Sequence, residues 1–201
     1  MLRPHSARYA FVDPRGGPAG AEEMQLASHP GGWRVTSRLE LHGTAPSTCE
    51  VEWQLGPDLA THILNMWMTN EWGEEFTLEA AVTGNGLIAS RSGPDGPTQV
   101  EMGWGAAVEL DHVCACFTTI TLARLGLASG ARQRVASVFI NPDDLVPQPL
   151  EQEYRALSAT GMIQRMSPAT GSRAAIVTLP GGVLRSYEGL FSLEPGWAFL
   201  D

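Results

Sequence analysis

Hydrophobic and polar positions alternate along most of this chain with a period of two, the spacing of strands that bury one face. Trp33, Val35, Leu39 and Leu41 share one parity, and Arg34, Thr36, Arg38, Glu40 and His42 share the other. Cys49, Val51, Trp53 and Leu55 alternate with Glu50, Glu52 and Gln54. His62, Leu64, Met66 and Met68 oppose Ile63, Asn65 and Trp67, and Phe76, Leu78, Ala80 and Val82 oppose Glu75, Thr77, Glu79 and Ala81. Val100, Met102 and Trp104 repeat the pattern against Gln99 and Glu101. Turn residues separate the runs: Gly56-Pro57-Asp58, Asn85-Gly86 and Gly93-Pro94-Asp95-Gly96-Pro97. Strands spaced this way with no helical pattern between them predict an antiparallel meander.

One stretch, Phe117 to Leu157, breaks the rhythm. Ile120, Leu122, Ala123, Leu125 and Leu127 have helical spacing, and Gly126 with Ser129-Gly130 ends it, predicting a helix over 117–127. Arg132 to Ile140 returns to strand, Asn141-Pro142-Asp143-Asp144 is a turn, and a Pro-punctuated crossing leads into Gln152 to Leu157. Met162 to Met166 and Arg173 to Leu179 read as a hairpin, followed by a strand from Val183 to Tyr187. Tyr9 to Val12 is an edge-type strand before a loop that ends at Gly20. The expected fold is mainly β. It is one domain over residues 1–201, a strongly curved antiparallel sheet of about nine to eleven strands. Such a sheet curls into a half-open barrel, and one or two short helices fill its concave side.

Charge narrows the partners. The 201 residues carry 22 acids and 13 bases for a net charge of −9, which argues against nucleic acid and anionic membranes. No apolar run approaches the roughly 20 residues that span a bilayer, so stable membrane insertion is not expected. The N-terminus lacks the apolar core of a signal peptide, giving the expectation of a cytoplasmic protein. Three cysteines, an odd number, fit reduced thiols better than a disulfide framework. His112, Cys114 and Cys116 alternate in a way that invites a metal. On a strand, however, residues i and i+4 are about 13 Å apart, too far to share one ion. No metal and no cofactor is expected, and the cysteines read first as packing residues.

Candidate chemistry is mostly apolar. Trp53, Met66, Met68, Phe76, Met102 and Trp104 fall on the apolar parity of neighbouring strands and should line one concave surface. Methionine adapts to irregular ligands, and tryptophan offers a flat face to a sugar ring or lipid chain. His62 and His112 are candidate acid/base groups. There is no GxGxxG opening a helix, no P-loop, no GxSxG and no HExxH.

Several motifs carry a family resemblance. Phe117-Thr118-Thr119 with Ala123-Arg124-Leu125-Gly126-Leu127, then Gln152-Glu153-Tyr154-Arg155-Ala156-Leu157, is similar to the glycolipid-binding family of bacterial proteins. Glu23-Met24-Gln25-Leu26 with Gly32-Trp33-Arg34-Val35 resembles its opening strands, and Gly182 to Phe191 its closing signature. The match runs over roughly residues 7 to 197. The sequence departs from the family at Cys116, where Pro is usual, and at Thr119, where Asn is usual. The resemblance implies the fold of periplasmic lipoprotein carriers and a glycolipid-like ligand. It brings Phe117, Tyr154 and Tyr187 into the expected ligand wall and adds Asp111 and Glu188 to the acid/base candidates. Two functions follow as expectations: binding of an apolar or amphipathic small molecule in the concavity, or cofactor-free catalysis by a cyclase, isomerase or hydrolase in the same cavity.

Overall fold

A computed structural model of the chain describes residues 2–43, 45–83, 86–102, 109–159 and 161–200, with the side chains of 197–200 left aside. Strand accounts for 61% of the chain. The first half of the sheet is β1 (His5–Val12), β2 (Pro18–His29), β3 (Gly32–Leu41), β4 (Ser47–Leu55), β5 (Thr61–Thr69), β6 (Glu75–Thr83), β7 (Gly86–Ser92) and β8 (Thr98–Met102). The second half is β9 (Glu109–Asp111), β10 (Arg132–Ile140), β11 (Pro147–Ala156), β12 (Met162–Met166), β13 (Arg173–Thr178), β14 (Leu184–Tyr187) and β15 (Phe191–Leu200). Between the halves lies the one α-helix of the described residues, α1 (Ala115–Leu125).

All fifteen strands form one sheet in the order β8-β7-β6-β5-β4-β3-β2-β1-β15-β14-β13-β12-β11-β10-β9. The halves join where β1 pairs with β15, Phe11 opposite Phe191. Strands β8 and β9 follow one another in sequence yet form the two opposite edges. The sheet is therefore curved but not closed into a barrel. Arg91 on β7 reaches across to the turn between β10 and β11, its Nε donating to the Asp144 carbonyl at 2.5 Å.

The core lies between the inner face of the sheet and α1. Every residue of α1 from Ala115 to Leu122 is buried, so the helix is a plug surrounded by protein rather than an amphipathic surface helix. Its first turn has no local cap, because the Cys114 side chain at the N-cap makes no capping hydrogen bond to the helix. Glu22 of β2 does that work instead. Its carboxylate accepts from the Ala115 N–H at 2.5 Å and the Cys116 N–H at 3.2 Å, and the Ser37 hydroxyl donates to it at 2.6 Å. Its acceptor oxygens there meet the positive end of the helix dipole; burial pushes the carboxyl's pKa up, and these hydrogen bonds pull it back. At the other end Gly126 takes a left-handed conformation, φ 52°, and its N–H closes on the Leu122 carbonyl at 3.2 Å.

The curved sheet with a helix on its concave side agrees with the sequence pattern, and the differences have local causes. The described residues form fifteen strands rather than nine to eleven, since Pro18–His29, the crossing after Val146 and the C-terminal segment also pair into the sheet. Strand β1, expected at an edge, lies inside the sheet between β2 and β15. One pair is parallel: α1 carries the chain across so that Ser137 to Phe139 run alongside Glu109 to Asp111. The helix starts two residues earlier than expected, because the alternating His112, Cys114 and Cys116 belong to its approach and first turn, not to a strand. His62 was expected to open an inner face. A register shift between Gln54 and Leu55 turns Thr61 inward and leaves His62 exposed.

Candidate functional site

Trp53, Met66, Met68 and Phe76 do share the inner face of β4–β6, as parity predicts, with Val51 opposite Met66, Cys49 opposite Met68 and Met68 opposite Phe76. Trp53 and Phe117 pack with ring centroids 4.8 Å apart, and the indole N–H donates to the Thr61 hydroxyl at 3.1 Å. Trp53, Met66 and Phe117 are 1%, 0% and 0% exposed, so in this conformation a molecule reaches them only if α1 moves. Met102 is partly buried opposite Leu87 at the edge of this wall. Trp104 lies outside the described residues.

The inner face of the second half is different in kind. Asp111 at the end of β9, Gln152 and Tyr154 on β11, Arg165 on β12 and Tyr187 on β14 converge there. The Gln152 amide donates to Asp111 Oδ2 at 2.6 Å, and the Tyr154 hydroxyl donates to Gln152 Oε1 at 2.7 Å. Arg165 Nη2 donates to the same Asp111 oxygen at 2.9 Å, and its Nη1 donates to the Tyr187 hydroxyl. The guanidinium also lies over the Tyr187 ring, 5.8 Å from its centroid. Burial pushes the Asp111 carboxyl above its usual range, while the Arg165 charge and the Gln152 amide pull it back. Burial likewise raises both tyrosines, so their hydroxyls stay protonated: that of Tyr154 donates to Gln152, and that of Tyr187, which accepts from Arg165, keeps its own proton to donate. Arg165 Nε is buried with no hydrogen-bond partner. The Arg165 side chain is 24% exposed, which gives the cluster its opening.

Beside the cluster is a cleft of about 390 Å³ at the C-terminal end of α1, lined among others by Leu122, Leu127, Ala156 and Ile163. Tyr154 pairs with Arg165, and Ala156 pairs with Ile163, so cluster and cleft are successive positions on one face of β11 and β12. Two residues along a strand cover about 7 Å. Glu109, on the same face as Asp111, forms an ion pair with Arg124 of α1 at 2.9 Å. Burial raises its pKa to about 7 despite that cation.

Of the acid/base candidates, Asp111 joins the cluster and His62 faces solvent. Glu188 is exposed and caps a strand end, accepting from the Ala175 N–H at 2.8 Å. His112 is buried against Phe117 with rings 5.5 Å apart, and burial pushes its pKa down to about 3. Sequence reasoning missed Glu22, Glu109 and Arg165. Glu22 did leave a signal: it shares parity with Met24 and Leu26 yet carries a charge. Of the two departures, Cys116 supplies a helix N–H to Glu22 that Pro would lack. Thr119 turns its hydroxyl back to the Ala115 carbonyl at 2.9 Å.

A curved open sheet with a helix in its concavity, and a polar cluster beside a cleft of mixed apolar and polar lining, defines a β-barrel-like protein. The chain belongs to the family described as "Putative glycolipid-binding", whose model matches residues 15–192. No curated protein matches the chain. Among solved structures it is similar to a DUF1089 family protein from Pseudomonas aeruginosa, with TM-score 0.62, 20% identity, and coverage of 85% of this chain and 91% of the other. It is also similar to a β-barrel-like protein of the domain of unknown function DUF1849 from Brucella abortus, with TM-score 0.65, 9% identity, and coverage of 100% and 99%. At these identities the likeness is one of fold. No helix among the described residues is long and apolar enough to cross a membrane.

Proposed function

We propose that this protein binds an amphipathic small molecule, of the kind the family's description suggests. Its polar group meets Asp111, Arg165 and Tyr187, and its apolar part enters the cleft beside Leu122, Leu127 and Ile163. The observation that supports this most directly is the adjacency of the two surfaces on β11 and β12. A guanidinium, a carboxylate and phenolic hydroxyls together offer donors and acceptors suited to sugar hydroxyls, with an aromatic ring alongside. In this reading Trp53, Met66, Met68 and Phe117 hold α1 in place, and Tyr154 orients Gln152.

The test is calorimetric titration with an alkyl glucoside kept below its micelle concentration, alongside native mass spectrometry of protein purified from its own host. Binding is expected, weakened about 10- to 100-fold by Arg165→Met, the loss of a hydrogen bond to a charged group. Ile163→Trp, which fills the cleft, should abolish binding while the fold survives. Unchanged binding by that folded variant, or no binding and no co-purifying amphiphile, overturns the reading.

The enzymatic alternative has one observation in its favour. Glu109, with a pKa near 7 beside Arg124, is poised as a general acid or base on the same face of the sheet as Asp111. Turnover of a bound molecule, lost in Glu109→Gln with binding retained, would support it.

A further inference from the structure

Cys49, His112 and Cys114 stand apart from the polar cluster and come from two distant parts of the chain. Cys49 is on the inner face of β4, and the other two lie in the approach to α1. All three are buried, and their ligand atoms lie within 4.8 Å of one another. His112 Nδ1 is 3.2 Å from Cys114 Sγ. The strand spacing that would hold such donors apart does not form here, because the backbone leaves the sheet after Asp111 and starts α1 at Ala115. His112 Nε2 is also buried with no hydrogen-bond partner, a condition that costs free energy. Met68, opposite Cys49 across β4 and β5, adds a buried thioether side chain to the same inner face.

We propose that Cys49, His112 and Cys114 bind one closed-shell thiophilic cation, Zn²⁺ or Cu⁺, that pins the start of α1 to β4. Two sulfurs and an imidazole nitrogen select such ions over Mg²⁺ or Ca²⁺. A tetrahedral ion with bonds of about 2.0 Å to nitrogen and about 2.3 Å to sulfur keeps its ligand atoms about 3.5–3.8 Å apart. That spacing lies within the observed 4.8 Å limit, so small side-chain rotations complete the site. Binding Zn²⁺ deprotonates two thiols and releases two protons, with no change of oxidation state. The product, two thiolates and a neutral imidazole around a divalent ion, carries no net charge into the core. Cu⁺ is satisfied by three donors, whereas Zn²⁺ takes a fourth.

The full chain, reduced and anaerobic, is offered Zn²⁺, Cu⁺ or Co²⁺ (a spectroscopic stand-in for Zn²⁺) against a weak chromophoric competitor. The metal is supplied both to folded protein and during refolding from denaturant. About one equivalent should be retained, with thiolate-to-Co²⁺ charge-transfer absorption and a raised thermal midpoint. Whichever of Zn²⁺ and Cu⁺ resists the competitor longer is the preferred ion. Cys116→Ser should keep the charge-transfer band, and the double variant Cys49→Ser/Cys114→Ser should lose it. Loss of both ions to the competitor in both regimes, or Co²⁺ held without thiolate absorption, overturns the proposal without needing any variant to fold. Retention of the band by the double variant overturns it as well.

Discussion

The two halves of the sheet face the same helix with opposite chemistry. From β2 to β6 the inner face is mostly apolar, and its few polar groups are partnered, Trp53 on Thr61 and Glu22 on Ser37 and the start of α1. From β9 to β14 the inner face carries Asp111, Ser137, Gln152, Tyr154, Arg165 and Tyr187, linked by hydrogen bonds and ending in a guanidinium with one unpaired N–H. Sheet pairing does not demand that polarity. Apolar residues of similar volume often stabilise as well as a buried ion pair or better. The first half thus reads as scaffold. The second keeps groups whose arrangement makes sense when another molecule completes them.

The largest expected effect breaks or secures the scaffold half. Trp53→Ala should cost about 3–5 kcal/mol in denaturant unfolding, the range for a large aromatic removed from a packed core. Trp67 on the outer face, 43% exposed, should cost about 0.5 kcal/mol or less as Ala. A small loss at Trp53 would mean the wall borders space rather than α1, and the contrast between the halves would fail.

How much of this could be read from sequence divides along the same line. The scaffold was legible because period-two alternation is local: parity alone places Trp53, Met66, Met68 and Phe76 on one face. The helix was legible as an apolar run, but its start was not. The residue that caps it, Glu22, is 93 positions away, and Cys114 rather than a Ser, Thr, Asp or Asn holds the N-cap position. The polar cluster was half legible. Asp111, Tyr154 and Tyr187 came from the family-like motifs, whereas Arg165 belongs to it only through pairing with Tyr154 across β11 and β12. His62 failed through a bulge, which shifts parity without a signature in the residues themselves. Glu109 lacked any signal, since its environment is set by Arg124 of α1.

Next in size is a pH effect in the second half. Glu109 has a folded pKa of about 7 against 4.5 unperturbed, so the folded state holds its proton more strongly. The stability this gives is fully present below about pH 4.5 and is lost as pH rises through about 7. The change amounts to about 2–3 kcal/mol. Unfolding free energies measured between those limits should fall in the parent, and the fall should shrink in Glu109→Gln. Equal slopes in both proteins would mean that Arg124 keeps the carboxylate ionised.

A smaller effect measures the cluster from within. Asp111→Asn and Arg165→Met should each cost about 1–3 kcal/mol, because each leaves a buried partner unanswered. The double variant should cost less than the sum, with a coupling of about 1–3 kcal/mol. Strict additivity would show that the 2.9 Å contact between them carries no energy.

The smallest expected effect is a control for charge itself. Arg38 on the outer face of β3 bonds Glu40 at 2.8 Å and Glu50 at 3.0 Å, distances as short as those of Arg165. Its side chain is 59% exposed, beside an outer groove of about 460 Å³ that also touches Glu23 and Trp67. Water competes for both partners there, salt screens them, and holding long side chains in place costs entropy. Arg38→Ala should therefore change stability by about 0.5 kcal/mol or less, and added salt should shrink even that. The geometry of the two arginines is alike, so the difference between them isolates burial. A loss at Arg38 as large as the one at Arg165 would mean that ion pairs count equally on both faces. The inner cluster would then have no special standing as a site.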